Sequence, residues 1–174
     1  MEEVKWGIIG CGDVTEVKSG PPLSLVEHSS LMAVMRRDAA KAKDYAYRHS
    51  VPQWYSNADE LIKDPSVNAV YVATPPDTHA AYAIRAMEAG LPVYVEKPMA
   101  LNILECEKMI SVSEKLNVPL FVAYYRRSLP GFVKVRNLIE DQEIGKVSHI
   151  NLSFSKMPSE DEKNGALGWR VNPE

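Results

Sequence analysis

Two short groups of residues near the start of the chain have the types and spacing to hold a charged ligand. The first is Gly10 and Gly12, which stop the apolar run Val4–Gly10 and are followed by Asp13 and Val14. A first glycine allows a tight turn after a strand, and a second lets the backbone approach a pyrophosphate that a helix N-terminus attracts. Between a strand and a helix, this is the context of a dinucleotide-binding turn. The same pair also suits a tight turn that holds nothing. Where the fingerprint carries a third glycine this chain has Thr15, a larger residue expected to hold helix and strand slightly apart. The second group is Met35-Arg36-Arg37-Asp38, at the end of the next apolar run. A site for NAD carries an acid there, roughly 20 residues after the glycines, on the ribose 2′-hydroxyl. Arg36 stands in that place with Arg37 beside it, and a guanidinium fork matches a 2′-phosphate. The expected cofactor is therefore NADP. NAD is the alternative, with the arginines as solvated loop charges. Asp38 then serves as a displaced ribose partner or caps the next helix.

These residues need elements to position them, and the apolar pattern supplies them. Strands are predicted at Val4–Gly10, Leu31–Met35, the short stretch 53–55, Val67–Pro76, Pro92–Pro98 and Pro119–Tyr125. Helices are predicted from Asp13 to a break at Ser19–Pro22, then at Leu23–Glu27, Asp38–His49, around 58–63, Asp77–Gly90 and Asn102–Asn117. Asp77 is placed to cap its helix and Gly90 to end it in the left-handed region. Asn102 with Glu105 has the capping-box spacing. Strands that are apolar without strict alternation suit a sheet buried on both faces. Strand–helix alternation implies an α/β, doubly wound parallel sheet. After Tyr125 the pattern changes. Residues 129–145 read as a helix ended by Gly145, and Lys146–Ser155 alternates like a strand with one wet face. Two domains are thus expected, 1–125 and 126–174.

Bulk properties exclude several classes. The chain has 174 residues and a net charge of −3, which argues against a nucleic-acid binder with a basic face. No run approaches the roughly 18 apolar residues of a membrane helix. The acidic N-terminus leads straight into a strand and does not read as a signal peptide. Cys11 and Cys106 lie far apart without metal-ligand spacing and read as reduced thiols, so a cytoplasmic protein without a metal site is expected.

At Glu96-Lys97-Pro98 the chain resembles the Gfo/Idh/MocA (glucose–fructose oxidoreductase / inositol dehydrogenase / MocA) family. The stretches that carry the resemblance are 7–14, 31–38, 68–98, 124–127 and 168–174, with Thr-Pro-Pro, His79, Ala89-Gly90 and Glu-Lys-Pro in register. The resemblance implies a Rossmann domain followed by an α+β domain that carries substrate contacts and subunit interfaces, hence a homo-oligomer. It implies an NAD(P)-dependent oxidoreductase passing a hydride between nicotinamide and a carbinol or carbonyl of a sugar, cyclitol or related polyol. It implies that Lys97 is catalytic and hydrogen-bonds the reacting hydroxyl, where an ammonium stabilises alkoxide charge and exchanges a proton. The family often has the bond before Pro98 cis. By the same resemblance Thr74, Pro75, Glu96, Tyr124, Trp169 and Arg170 approach the cofactor, and His79 either touches it or serves the structure. The family's usual chain is about twice as long and continues to a helix with an Asp and a His near the substrate. Their absence from this sequence implies little turnover by these 174 residues alone. The alternative function is a nucleotide-binding sensor or assembly module on the same Rossmann domain.

Overall fold

The first apolar run forms strand β1, Val4–Ile9, in a computed structural model that describes residues 3–153, 155, 157 and 163–165. Helix α1, Asp13–Val17, follows the glycine turn and stops before Gly20-Pro21-Pro22, whose prolines cannot continue its ladder. Next come α2 (Pro22–Leu25), β2 (Ser29–Met35), α3 (Ala39–Arg48), β3 (Gln53–Tyr55) and α4 (Ala58–Ile62). They are followed by β4 (Ala69–Val72), a 3₁₀ turn at Pro76–Thr78, α5 (His79–Glu88), β5 (Val93–Val95), α6 (Ile103–Leu116) and β6 (Leu120–Val122). The strands form one six-stranded sheet in the order β3-β2-β1-β4-β5-β6, with every pairing parallel. This is a Rossmann-type, doubly wound α/β fold. Several strands are shorter than their apolar runs because pairing ends first. In β5, only Val93, Tyr94 and Val95 find partners on both sides.

Side-chain alternation along each strand builds a core on both faces. On one face Ile9, Val70, Val72, Val93 and Val95 pack with Ala83 and Met87 of α5 and Met109 of α6, all buried. On the other, Ile8, Val34 and Tyr71 pack with Tyr45 and Ala46 of α3. Each such aliphatic side chain contributes about 1.5–3 kcal/mol by leaving water. The continuous apolar strands are thus explained by helices on both sides.

Local caps follow the chemistry of their residues, with one correction. Asn102 Oδ1 accepts from Glu105 N, and Glu105 Oε2 reaches back to Leu101 N. Gly90, at φ +82°, closes α5: its N–H bonds Met87 O and that of Leu91 bonds Ala86 O. Asp77 does not cap α5. It lies inside the 3₁₀ turn, and the residue before the helix is Thr78. Thr78 Oγ1 instead donates to Pro75 O and accepts from Thr74 Oγ1, which ties the turn to the exit of β4.

Glu16 joins α1 to α3. Arg48 Nη2 and Nη1 donate to its two oxygens at 2.6 and 2.8 Å, and His49 Nε2 lies 2.7 Å from Oε2. The Arg48 guanidinium, first among these partners, holds the Glu16 carboxyl down to about 2 from an ordinary 4.5. A pKa depressed in the folded state gives stability that is full above the unfolded value, about pH 4.5, and fades as pH falls toward about 2. With the side chain 28% exposed, solvent screening leaves about 1 kcal/mol. Urea midpoints should therefore separate the parent from Glu16→Gln by about that amount near pH 6 and by less near pH 3. A gap that ignores pH would show that the carboxylate's charge does not matter.

The chain divides into two compact units, Met1–Tyr125 and Arg126–Glu174. In the second, α7 spans Pro130–Glu140. It ends five residues before Gly145, because Gln142 adopts the left-handed conformation (φ 55°) and Glu143 N closes onto Leu138 O. The described residues of 146–155 form no strand. An alternating pattern becomes a strand only against a hydrogen-bonding neighbour, and no described segment pairs with this one. Among the described residues no helix is long and apolar enough to cross a membrane.

Candidate cofactor site

Strand β1 lies between β2 and β4, where the strand order reverses. A crevice at the carboxyl ends of the strands is the usual ligand position in such sheets. The glycine turn sits there. Gly10 has φ +97°, and a Cβ on it would lie 2.7 Å from Thr74 Cγ2 and 2.8 Å from Thr74 N. Its glycine is demanded by the neighbouring loop. Gly12 differs: the nearest heavy atom to a Cβ built on it is Gly10 O at 4.0 Å, so that side is open. Thr15 ties the turn as well as filling the third position of the fingerprint. It is fully buried, and its Oγ1 accepts from Gly12 N (3.0 Å) and donates to Gly12 O (2.8 Å). Tyr45 Oη donates to Thr15 O from α3. Since α1 has only five residues, the pull expected of a full helix N-terminus reduces to the N–H groups of Asp13 and Val14, which open the helix without carbonyl partners inside it.

A cavity of about 430 Å³ lies over this turn, walled by the ends of β1, β2 and β4. It gathers Gly10, Gly12, Arg36, Arg37, Thr74 and Pro75. Arg36 is half-buried and leans across the turn, with Nη1 donating to Cys11 O at 3.3 Å. Arg37 is exposed. Asp38 is already engaged: Oδ1 accepts from Lys41 N at 3.1 Å and caps α3, and Oδ2 lies 3.6 Å from Lys41 Nζ. The Lys41 N–H bond, its largest favourable partner, lowers the Asp38 pKa. Lys41 also lines the cavity, and the sequence reading passed over it. The signal was its place three residues after a helix-capping acid, on the same side of α3. Burial pushes the Cys11 thiol up to about 11 despite Arg36, so this wall residue is neutral and not a nucleophile.

The other candidates stand further along the same sheet edge. Lys97 follows β5, is exposed, and precedes a cis bond to Pro98. His79 is 1% exposed and spans two loops, Nδ1 2.9 Å from Pro98 O and Nε2 2.6 Å from Thr74 O. Glu96 is half-buried with both oxygens occupied: Oε1 accepts from Tyr71 Oη at 2.6 Å, and Oε2 from Lys97 N at 3.1 Å. Tyr71, inside a buried strand, carried no sequence signal beyond its polar tip. Tyr124 is half-exposed just after β6. Asp13, Val14, His79, Glu96, Lys97 and Tyr124 do not line the cavity. Trp169 and Arg170 lie outside the described residues. Among the described residues no cluster of His, Cys, Asp and Glu suits a metal ion.

The open space at Gly12 and the basic rim of Arg36, Arg37 and Lys41 fit a phosphate-bearing dinucleotide. Known proteins point the same way. The family described as "Oxidoreductase family, NAD-binding Rossmann fold" (Gfo/Idh/MocA) matches residues 4–124. Oxidoreductase P35 of Formosa agariphila is 43% identical over 172 residues, covering 98% of this chain and 54% of its own. Trans-1,2-dihydrobenzene-1,2-diol dehydrogenase of Xenopus tropicalis is 32% identical, covering 94% of this chain and 52% of its own. Among solved structures, a mutant of KijD10, a 3-ketoreductase from Actinomadura kijaniata in complex with TDP-benzene and NADP, superposes with a TM-score of 0.76 at 25% identity. That match covers 84% of this chain and 45% of the other. The chain spans about half the length of the curated relatives it matches. With the sheet order, the glycine turn and the family match in agreement, this chain belongs to the Gfo/Idh/MocA oxidoreductase family.

Proposed function

We propose that this chain is the NADP-binding part of a dehydrogenase that interconverts a carbinol and a carbonyl on a sugar, cyclitol or related polyol, with Lys97 handling the proton. One observation carries this reading: a cavity with three cationic side chains over an open glycine turn, on the sheet edge that also presents Lys97. The relatives support it, one being named a diol dehydrogenase and another a ketoreductase held with NADP. Gly12 leaves room for a pyrophosphate. Arg36, Arg37 and Lys41 supply donors for a 2′-phosphate. Thr74 and Pro75 line the path toward β5. When bound, the nicotinamide accepts or gives the hydride. Lys97 donates a hydrogen bond to the reacting oxygen and relays its proton. A cytoplasmic location and a homo-oligomer built through residues after 125 belong to the same reading.

Nicotinamide fluorescence tests it. NADPH should titrate to saturation at one site per chain and be displaced by 2′,5′-ADP. In the intact protein, NADP⁺ reduction across a panel of polyols should be lost in Lys97→Met, by a factor of at least about 100, with the NADPH Kd unchanged. No saturable NADPH binding would overturn the reading at its base. Undiminished turnover in Lys97→Met would remove Lys97 from it.

A further inference from the structure

We propose that Tyr71 and His79 are positioning residues that grip the two flanks of Lys97, and that Glu96 belongs to this clamp and not to the cofactor surface. The inference rests on Lys97 being the proton-handling residue. On the N-terminal flank, Glu96 shares one oxygen with the Lys97 N–H and the other with the Tyr71 hydroxyl. Tyr71 is fully buried in β4, and its ring stacks on Tyr94 with centroids 5.3 Å apart. It has one O–H to give, and the carboxylate at 2.6 Å takes it. Ser19 Oγ, 2.8 Å away, is then the donor to the phenol oxygen. Burial first, and the Glu96 carboxylate second, push the phenol pKa up, which keeps that donor proton in place. On the C-terminal flank, Pro98 O meets His79 Nδ1, and the same ring meets Thr74 O on the cavity wall.

Lys97 itself is exposed, and among the described residues no hydrogen bond or ion pair holds its long side chain. Its backbone is fixed from β4 on one side and from α5 on the other, each through a buried side chain. Thr74 and Ser19 extend these anchors to the loops after β4 and α1. A reacting group gains rate only where its origin is held to a fraction of an ångström. Glu96 does not line the cavity, and each of its oxygens accepts from the protein on the Lys97 side of the sheet edge.

Tyr71→Phe keeps the stacked ring and removes only the donor. Backbone amide exchange, read by NMR, should show Lys97 N–H exchanging about tenfold faster, as expected for weakening one hydrogen bond to a charged acceptor. NADPH affinity, by calorimetry, should stay within about twofold of the parent. His79→Gln should move the Lys97 amide resonance too, since it frees the other flank. In the intact protein both variants should lower kcat and leave the KM for NADP⁺ unchanged. Unchanged Lys97 exchange in Tyr71→Phe, or a Lys97 resonance unmoved by His79→Gln, overturns the two-sided clamp. A loss of NADPH affinity of about tenfold or more in Glu96→Gln would place Glu96 on the cofactor and overturn it equally. If the parent binds no NADPH, the functional reading fails, while the exchange experiment still decides the clamp.

Discussion

Gly12→Val is expected to fold like the parent and to bind NADPH at least about 100-fold more weakly. Among the described residues the nearest heavy atom to a Cβ built on Gly12, its chain neighbours aside, is Gly10 O at 4.0 Å, so the substitution should cost little stability. In the proposed binding mode the new side chain stands between the pyrophosphate and the Asp13 and Val14 N–H groups. Hydrogen bonds to a charged group contribute about 1.5–3 kcal/mol each, and losing two removes at least the ~2.7 kcal/mol that a 100-fold change represents. Gly10→Ala is the control, with the opposite signature. Its backbone has φ +97°, and the new methyl would lie 2.8–2.9 Å from backbone atoms of Thr74 and Ala73. The left-handed penalty of about 1–2 kcal/mol adds to overpacking of about 1–3 kcal/mol. A loss of roughly 2–5 kcal/mol in urea unfolding follows. Calorimetric NADPH titration and urea unfolding on both variants check the pair. Should Gly12→Val bind normally, the ligand does not cross this turn.

Arg36→Asp is expected to reverse cofactor choice. The parent should prefer NADPH to NADH by about tenfold, or ~1.4 kcal/mol, less than a full charged hydrogen bond contributes because the cavity is open to solvent. Arg36 already spends one nitrogen on Cys11 O, which orients the guanidinium and leaves its other N–H groups for the phosphate. At the end of β2 the ribose of NADH finds no free carboxylate in the parent, since Asp38 caps α3 through Lys41 N and faces Lys41 Nζ. An aspartate at position 36 repels the phosphate and accepts from the 2′-hydroxyl. The ratio of the two dissociation constants should then move by about 100-fold in favour of NADH. Lys41→Ala should move it the same way by a smaller factor and leave NADH affinity alone. A parent that binds NADH as tightly as NADPH would return both arginines to the role of loop charges.

What the chain discloses by itself is what neighbours a few residues apart decide. The periodicity of apolar runs shows six strands and the helices between them. Asn102, Gly90 and the Gly20-Pro21-Pro22 break show where helices start and stop, because caps and breakers act on their own turn. The glycine pair, and Arg36 in place of an acid, are the local signals behind the proposed NADP site. Those same rules misplace Asp77, where a 3₁₀ turn begun by Pro76 comes first, and residues 146–155, where alternation lacks a strand to pair with. Thr15 and Asp38 find their partners three residues away, at Gly12 and Lys41, so their bonds are local even where the sequence left alternatives open. Glu96 could not be read locally: whether it faces a ligand or Tyr71 depends on sheet register. The parallel order β2-β1-β4-β5 brings Cys11 to Arg36 and Tyr71 to Glu96, pairs 25 residues apart in each case. No short-range preference encodes such a meeting: it exists only once the strands have paired and the helices have closed both faces of the sheet.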